Sequence, residues 1–120
     1  QDIKADFEPL KIGKGYDHCW VIDGYEPGQI QEAAYLCAPE SGRTLSIYTT
    51  QPGVQVYTGN WLSGCPAGKN GHIYGDYEGV AIECQNFPDA PNQPEYPSAV
   101  LRPGEVYEQA IIFAFGVLVN

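Results

Sequence analysis

The chain has 120 residues, of which 43% are hydrophobic and 18% charged, a balance typical of one globular domain rather than of a disordered segment. Its formal net charge of −9 argues against nucleic acid or an anionic membrane as a partner, because both are bound through clustered Lys and Arg. We also expect no membrane insertion, since no apolar run approaches the ~18 residues of a transmembrane helix.

The first residue and the cysteines bear on the origin of the chain. The chain begins with Gln1 and contains no methionine, so we expect a processed product or a fragment of a longer chain. Cys19, Cys37 and Cys84 lie in apolar runs, where Cys acts as a small buried hydrophobe. We therefore expect reduced thiols and a cytoplasmic location, with no metal site and no cofactor. The alternative is a small secreted domain in which these three and Cys65 form disulfides.

Six segments in chain order are rich in β-branched and aromatic residues and are bounded by Gly and Pro, which predicts strands. They are residues 16–22, 32–38, 44–50, 54–58, 80–85 and 109–117. Helix signals are nearly absent, because 14 glycines and 10 prolines interrupt the chain. The short P-E-S-G-R stretch, with Gly42 suited to a positive φ, predicts a β-hairpin between the second and third strands.

The predicted fold is all-β, an antiparallel β-sheet protein with two long loops. The loops span residues 60–78 and 86–105, and they flank the strand that holds Glu83. Long loops without secondary structure in a compact domain are usually functional.

Side-chain alternation brings out three polar residues, one in each of three predicted strands. In V-A-I-E-C-Q, Glu83 shares a face with Gln85, opposite Val80, Ile82 and Cys84, because side chains alternate with period two. By the same rule Gln55 and Asp17 stand on one face of their strands. A solvent-facing side of an antiparallel sheet would look similar, whereas neutral polar groups mixed with aromatic rings are typical of a sugar site.

Five ordered blocks resemble the C-terminal part of the galactose mutarotase (aldose 1-epimerase) family. They are YDHCWV, TTQPGVQVYTGNWL, GKNGHIY, GVAIECQNFPDAPNQPEYPS and LRPGEVY. The resemblance implies that residues 1–120 are the C-terminal part of a single antiparallel β-sandwich domain, a supersandwich of many strands. The implied activity is the interconversion of the α and β anomers of galactose- and glucose-type aldoses, with a monosaccharide as substrate.

The resemblance also implies roles for the three polar residues. Glu83 matches the catalytic base of the family's E-x-Q-x-[FW]-P-D-A block, while Asp17 of Y-D-H and Gln55 of P-G-V-Q match residues that contact the sugar. The histidine motifs that precede these blocks in the family, including the general acid, are absent from this sequence. We therefore expect an N-terminal portion of the same enzyme as a necessary partner.

Two further expectations concern groups near these residues. His18 falls on the face opposite Asp17, so a structural role is favoured over an acid role, and His72 lies in a loop. Among the aromatic residues, Tyr57 and Phe87 are expected near the site because they neighbour Gln55 and Glu83. A β-sandwich that binds carbohydrate without turning it over is the second hypothesis for the function.

Overall fold

The protein is described here by a computed structural model that covers residue 3 and residues 5–118. It contains one short α-helix and six strands: α1 Glu8–Gly13, β1 Asp17–Val21, β2 Gln31–Ala38, β3 Arg43–Thr49, β4 Gly53–Tyr57, β5 Ala81–Gln85 and β6 Ile111–Val117. Two single 3₁₀ turns, Lys69–Gly71 and Ala90–Asn92, lie in the long loops. All six predicted strands are confirmed, each with ends within two residues of the prediction. Across the described residues, helices are too short and too polar to cross a bilayer.

The strands form two three-stranded sheets, with the orders β1-β4-β5 and β2-β3-β6. The predicted all-β class with antiparallel pairing is confirmed. By its contacts the chain divides into two units, of which the first holds the residues through Trp20 and Gln55–Glu83. The second holds Val21–Val54 and the residues from Cys84 onward. Asp17, Gln55 and Glu83 therefore all belong to the first unit.

The predicted hairpin joins β2 to β3. The two strands pair antiparallel from Gln31↔Thr49 to Ala38↔Arg43, with an irregularity between Glu32 and Ala34. At the turn, the Gly42 backbone N–H donates to the Ala38 carbonyl at 2.8 Å. Gly42 has φ +68, a conformation that glycine adopts without a steric penalty, which explains the residue at this place.

The core of the second unit contrasts with its last strand. Ile47 in β3 is fully buried, and it pairs with Phe113 of β6. Every residue of β6 is nevertheless exposed, and Phe115 exposes 81% of its surface. An apolar strand with this exposure at the edge of a sheet is unusual, because edge strands normally carry charge or are covered.

The cysteines are partly as expected. All four are reduced, with Cys65 in a loop. Cys84 is half-buried, and desolvation by burial raises the pKa of its thiol. Cys37 is exposed, so its predicted burial is wrong: it lies one residue from the end of β2, an outer strand of its sheet.

Helix α1 was not expected from the sequence. Pro9 stands in its first turn and Lys14 closes it at φ 58, after which the Gly15 N–H donates to the Leu10 carbonyl at 2.9 Å. Six residues are too few to establish a 3.6-residue apolar period. Leu10 is buried, with 4% of its surface exposed, so burial of this side chain stabilises the turn.

Candidate active site

Asp17 and Gln55 are in direct contact. Asp17 begins β1 and Gln55 stands in the middle of the adjacent strand β4. The Gln55 side-chain Nε2 donates to Asp17 Oδ1 at 2.7 Å, so the two side chains share a face of the sheet, as alternation predicts. Asp17 is exposed and Gln55 half-buried, which leaves polar atoms of both accessible to a ligand.

Glu83 stands in β5, on the other side of β4 from Asp17. It is exposed, whereas its neighbours in the strand are half-buried. Tyr57 and Ala81, each two residues from Gln55 and Glu83 respectively, line the same cavity of about 220 Å³. The cavity is also lined by Val80, so a shared face for Gln55 and Glu83 stays a prediction from alternation.

The loop between β4 and β5 is held by polar contacts. Asp76 Oδ1 accepts from the Ser63 N–H at 2.8 Å, and the Asp76 N–H donates to Ser63 Oγ at 3.0 Å. Glu78 accepts from the Gly75 N–H at 2.9 Å and lies 3.4 Å from His72 Nε2. The pKa of Asp76 is lowered mainly by its hydrogen bond from the Ser63 N–H. The pKa of Glu78 is lowered mainly by its hydrogen bond from the Gly75 N–H. The loop is therefore ordered without regular strands.

Tyr77 ties this loop to the end of helix α1. Its N–H donates to the Gly59 carbonyl at 2.8 Å, and its hydroxyl donates to the Lys14 carbonyl at 2.5 Å. The Lys14 Nζ in turn lies 3.7 Å from the centre of the Trp61 ring, a cation–π contact. These contacts bring together the segments just before β1 and just after β4.

Asn60 is a buried polar residue close to Asp17 in the fold that the sequence analysis did not single out. It lies three residues after β4 and is fully buried, and its side-chain amide donates to the carbonyls of Gly13 and Tyr16, the second of which directly precedes Asp17. The burial of this amide depends on contacts with residues that are distant in sequence, and a local pattern does not show such contacts. The stretch T-G-N-W on its own is typical of a turn, so no signal in one sequence distinguishes this asparagine.

The two histidines have structural contacts. The His18 Nδ1 accepts from the Asp17 N–H at 3.0 Å, and its ring packs edge-on against Trp20 at 6.0 Å. His72 packs edge-on against Tyr74 at 4.5 Å in addition to its contact with Glu78. Within the part of the chain that the structure describes, no group of three or more His, Cys, Asp and Glu side chains is placed to hold a metal ion.

The proline-rich loop after β5 folds around Asp89. Its Oδ1 accepts from Asn92 Nδ2 at 2.5 Å and its Oδ2 from Gln93 Nε2 at 2.8 Å. These two bonds lower the pKa of the carboxyl group, the one from Asn92 most. In the same loop the ring of Phe87 packs against Tyr96, with centres 5.1 Å apart. Whether Phe87 contacts a ligand stays a prediction.

The sequence of this chain matches a known family. The family model for aldose 1-epimerase matches residues 1–114, and the chain therefore belongs to that family. The resemblance seen in the five sequence blocks is confirmed.

Individual relatives agree with the family assignment. The human galactose mutarotase is 43% identical over 118 residues, which are 92% of this chain and 34% of that protein. The mouse galactose mutarotase is 47% identical over 103 residues, 86% of this chain and 30% of that protein. The aldose 1-epimerase of Escherichia coli strain K12 is 37% identical over 116 residues, 95% of this chain and 33% of that protein. The chain thus spans about a third of the length of the curated relatives that it matches.

Proposed function

We propose that this chain forms part of an aldose 1-epimerase that interconverts the α and β anomers of galactose- or glucose-type sugars. Family membership supports the reaction class. The observation that carries the assignment of the site is the 2.7 Å bond between Gln55 and Asp17, with Glu83 on the next strand of the same sheet. Carboxylates and an amide on one face provide acceptors and donors for sugar hydroxyls.

Glu83 is the base in this proposal. It takes the proton from the anomeric hydroxyl while an acid protonates the ring oxygen, and the bond between that oxygen and C1 breaks. The open aldehyde rotates about C1–C2 and closes on its other face, with both protons returned. Each well-placed acid or base contributes roughly 10²–10⁴-fold to the rate. Glu83 is exposed, so its carboxylate is accessible to a bound sugar.

Asp17 and Gln55 bind the sugar in this proposal. Their mutual hydrogen bond fixes both side chains before a ligand arrives, which lowers the entropic cost of binding. The cavity lined by Tyr57, Val80 and Ala81 lies two residues along the strands from Gln55 and Glu83, and in this proposal it receives an apolar C–H surface of the sugar ring.

The general acid comes from a further portion of the enzyme. Both histidines of this chain are held in structural contacts, His18 by the Asp17 N–H and His72 beside Glu78. The apolar strand β6, exposed along its whole length, gives such a portion a surface to cover. By "the extended protein" we mean this chain preceded by the portion that its longer relatives have in addition. A cytoplasmic location is part of the proposal, supported by the reduced cysteines.

Replacement of Glu83 tests the proposed chemistry. In the extended protein, Glu83→Gln should keep the affinity for galactose within a few-fold and lower kcat by roughly 10²–10⁴. The measurement is polarimetry on freshly dissolved α-galactose, with calorimetry for affinity. Glu32→Gln, an exposed glutamate in β2, is the matched control and should be unaffected. Normal turnover of Glu83→Gln would exclude it as the base, and sugar binding without turnover by the unaltered protein would favour a carbohydrate-binding domain.

A further inference from the structure

Asn60 uses its side-chain amide to hold the backbone that leads into β1. Its Nδ2 donates to the Gly13 carbonyl at 2.7 Å and to the Tyr16 carbonyl at 2.8 Å. Its Oδ1 accepts from the Thr58 hydroxyl at 2.6 Å. Both amide hydrogens and the amide oxygen are therefore engaged. With 0% of its surface exposed, Asn60 contacts neither solvent nor a ligand bound at the surface.

Thr58 extends the same set of contacts. Its hydroxyl oxygen accepts from the Tyr16 N–H at 3.0 Å, and its own N–H donates to the Tyr16 carbonyl at 3.1 Å. Tyr16 is thus held through both its backbone groups. The residue that follows it is Asp17, the first residue of β1.

The space around these contacts admits little displacement. A Cβ atom on Gly15 would lie 2.6 Å from Asn60 Oδ1 and 2.8 Å from Thr58 Oγ1, closer than carbon and oxygen approach without a bond. The chain between α1 and β1 therefore packs directly on the two side chains. Such contact leaves one position for the start of β1 relative to the end of β4.

We propose that Asn60 is a positioning residue for the sugar site, which acts through Asp17 and never touches the sugar. It lies five residues after Gln55 in the chain, and it anchors the carbonyl one residue before Asp17. It thereby connects the strand that carries Gln55 to the strand that carries Asp17, and holds their side chains at hydrogen-bonding distance. This inference rests on the proposed function, because it assigns Asp17 to sugar binding.

Displacement of a binding group by about 1 Å can cost on the order of 100-fold in rate, so we expect Asn60→Asp to lower kcat/KM for galactose by about 10- to 100-fold. The substitution keeps the shape of the side chain but removes both N–H donors and directs a carboxylate at two carbonyl oxygens. The loss should come mainly from KM, since Glu83 is unchanged. Asn70→Asp, at an exposed asparagine in the 3₁₀ turn Lys69–Gly71, is the matched control and should leave both constants within about two-fold.

A double-mutant cycle separates positioning from general damage. If Asn60 acts through Asp17, then Asn60→Asp in an Asp17→Ala background should lower kcat/KM by less than about three-fold. An equal loss in both backgrounds would overturn the inference, because it would mean that Asn60 supports the fold only. If Asp17→Ala alone leaves KM unchanged, the proposed role of Asp17 in sugar binding is wrong. That result can be told apart from an equal loss in both backgrounds, which contradicts only the role of Asn60.

A milder variant covers the case in which Asn60→Asp does not fold. Thr58→Val removes the hydroxyl that holds Asn60 but keeps the volume, and Thr58→Ser retains the hydroxyl. We expect Thr58→Val to raise KM by about three- to ten-fold and Thr58→Ser to restore it to within about two-fold. A lower melting temperature with KM unchanged in Thr58→Val would also overturn the inference.

Discussion

Gly15→Ala should be among the most destabilising glycine substitutions in the first unit. The new methyl would meet Asn60 Oδ1 at 2.6 Å and Thr58 Oγ1 at 2.8 Å. Asn60 is fully buried and held by three hydrogen bonds, so it cannot turn away into solvent. Relief requires the loss of at least one of these bonds or a shift of the backbone before β1.

The magnitude follows from three costs. A buried polar group without a partner costs about 1–3 kcal/mol, and crowding of a packed site by a methylene costs about 1–3 kcal/mol. Gly15 also has φ +149, a conformation that strains alanine by about 1 kcal/mol or more. Because these costs are not additive, we expect a decrease of about 3–5 kcal/mol in the free energy of unfolding.

Two other glycines separate the causes. Gly24 has φ +69, and no atom lies within 4 Å of the place that a methyl group would take there, so Gly24→Ala should cost only the left-handed strain of about 1–2 kcal/mol. Gly13 has open space and lies in helix α1, so Gly13→Ala should be neutral or stabilise by up to about 1 kcal/mol. Urea unfolding of the extended protein measures all three. A Gly15→Ala cost no larger than that of Gly24→Ala would refute the steric reasoning.

Two predictions concern sugar binding and pH. Asp17→Ala and Gln55→Ala should each raise KM for galactose more than they lower kcat, because ground-state hydroxyl contacts are lost; a large kcat loss at unchanged KM in initial-rate polarimetry would place them in proton transfer instead. Hydrogen bonds from Asn92 and Gln93 lower the pKa of Asp89, so its contribution to stability is present above the ordinary Asp value of about 3.9 and is lost as pH falls through the lower folded-state pKa. Asp89→Asn should therefore flatten the decrease in urea midpoint below about pH 4, and an unchanged slope would contradict this.

The strands could be predicted because their residues carry the signal locally. Stretches such as T-L-S-I-Y-T-T combine β-branched and aromatic residues between glycine and proline, and Gly42 marks the hairpin turn through its positive φ. The pairing of Asp17 with Gln55 could be anticipated as a shared polar face, since alternation is a property of each strand alone. The roles of these residues in a sugar site come from the resemblance to the family and stay a proposal.

Other features depend on contacts between distant segments, and no local pattern encodes them. Asn60 is buried because Gly13 and Tyr16 place their carbonyls beside it, and neither is near it in sequence. Helix α1 has only six residues, too few to show a 3.6-residue apolar repeat. It is stabilised by burial of Leu10 and by the closing turn at Lys14. Cys37 is exposed although its apolar neighbours resemble those of a buried strand. The burial of a strand depends on what covers it, which lies outside the strand.

The last prediction concerns the chain by itself, and it begins from strand β6. Its residues are apolar from Ile111 to Val117 and all are exposed, with Phe115 at 81%. Exposed apolar edge strands pair with other chains, so residues 1–120 alone should self-associate. Phe115→Lys should reduce that association in size-exclusion chromatography, because charge on an edge strand opposes pairing. Ile73→Lys is the control, since Ile73 is 72% exposed but lies in a loop, and it should change little.

The same sample tests the need for a further portion. Because the proposed acid is not supplied by His18 or His72, the chain alone should show no mutarotation of α-galactose by polarimetry. Adding the additional portion of a galactose mutarotase as a separate polypeptide should cover β6, yield a monodisperse complex and restore turnover. Phe115→Lys should weaken that complex, since the same strand is proposed to be covered in both cases. An active, monodisperse chain of 120 residues would contradict both the covered strand and the external acid, and His18→Ala would then be the first variant to measure.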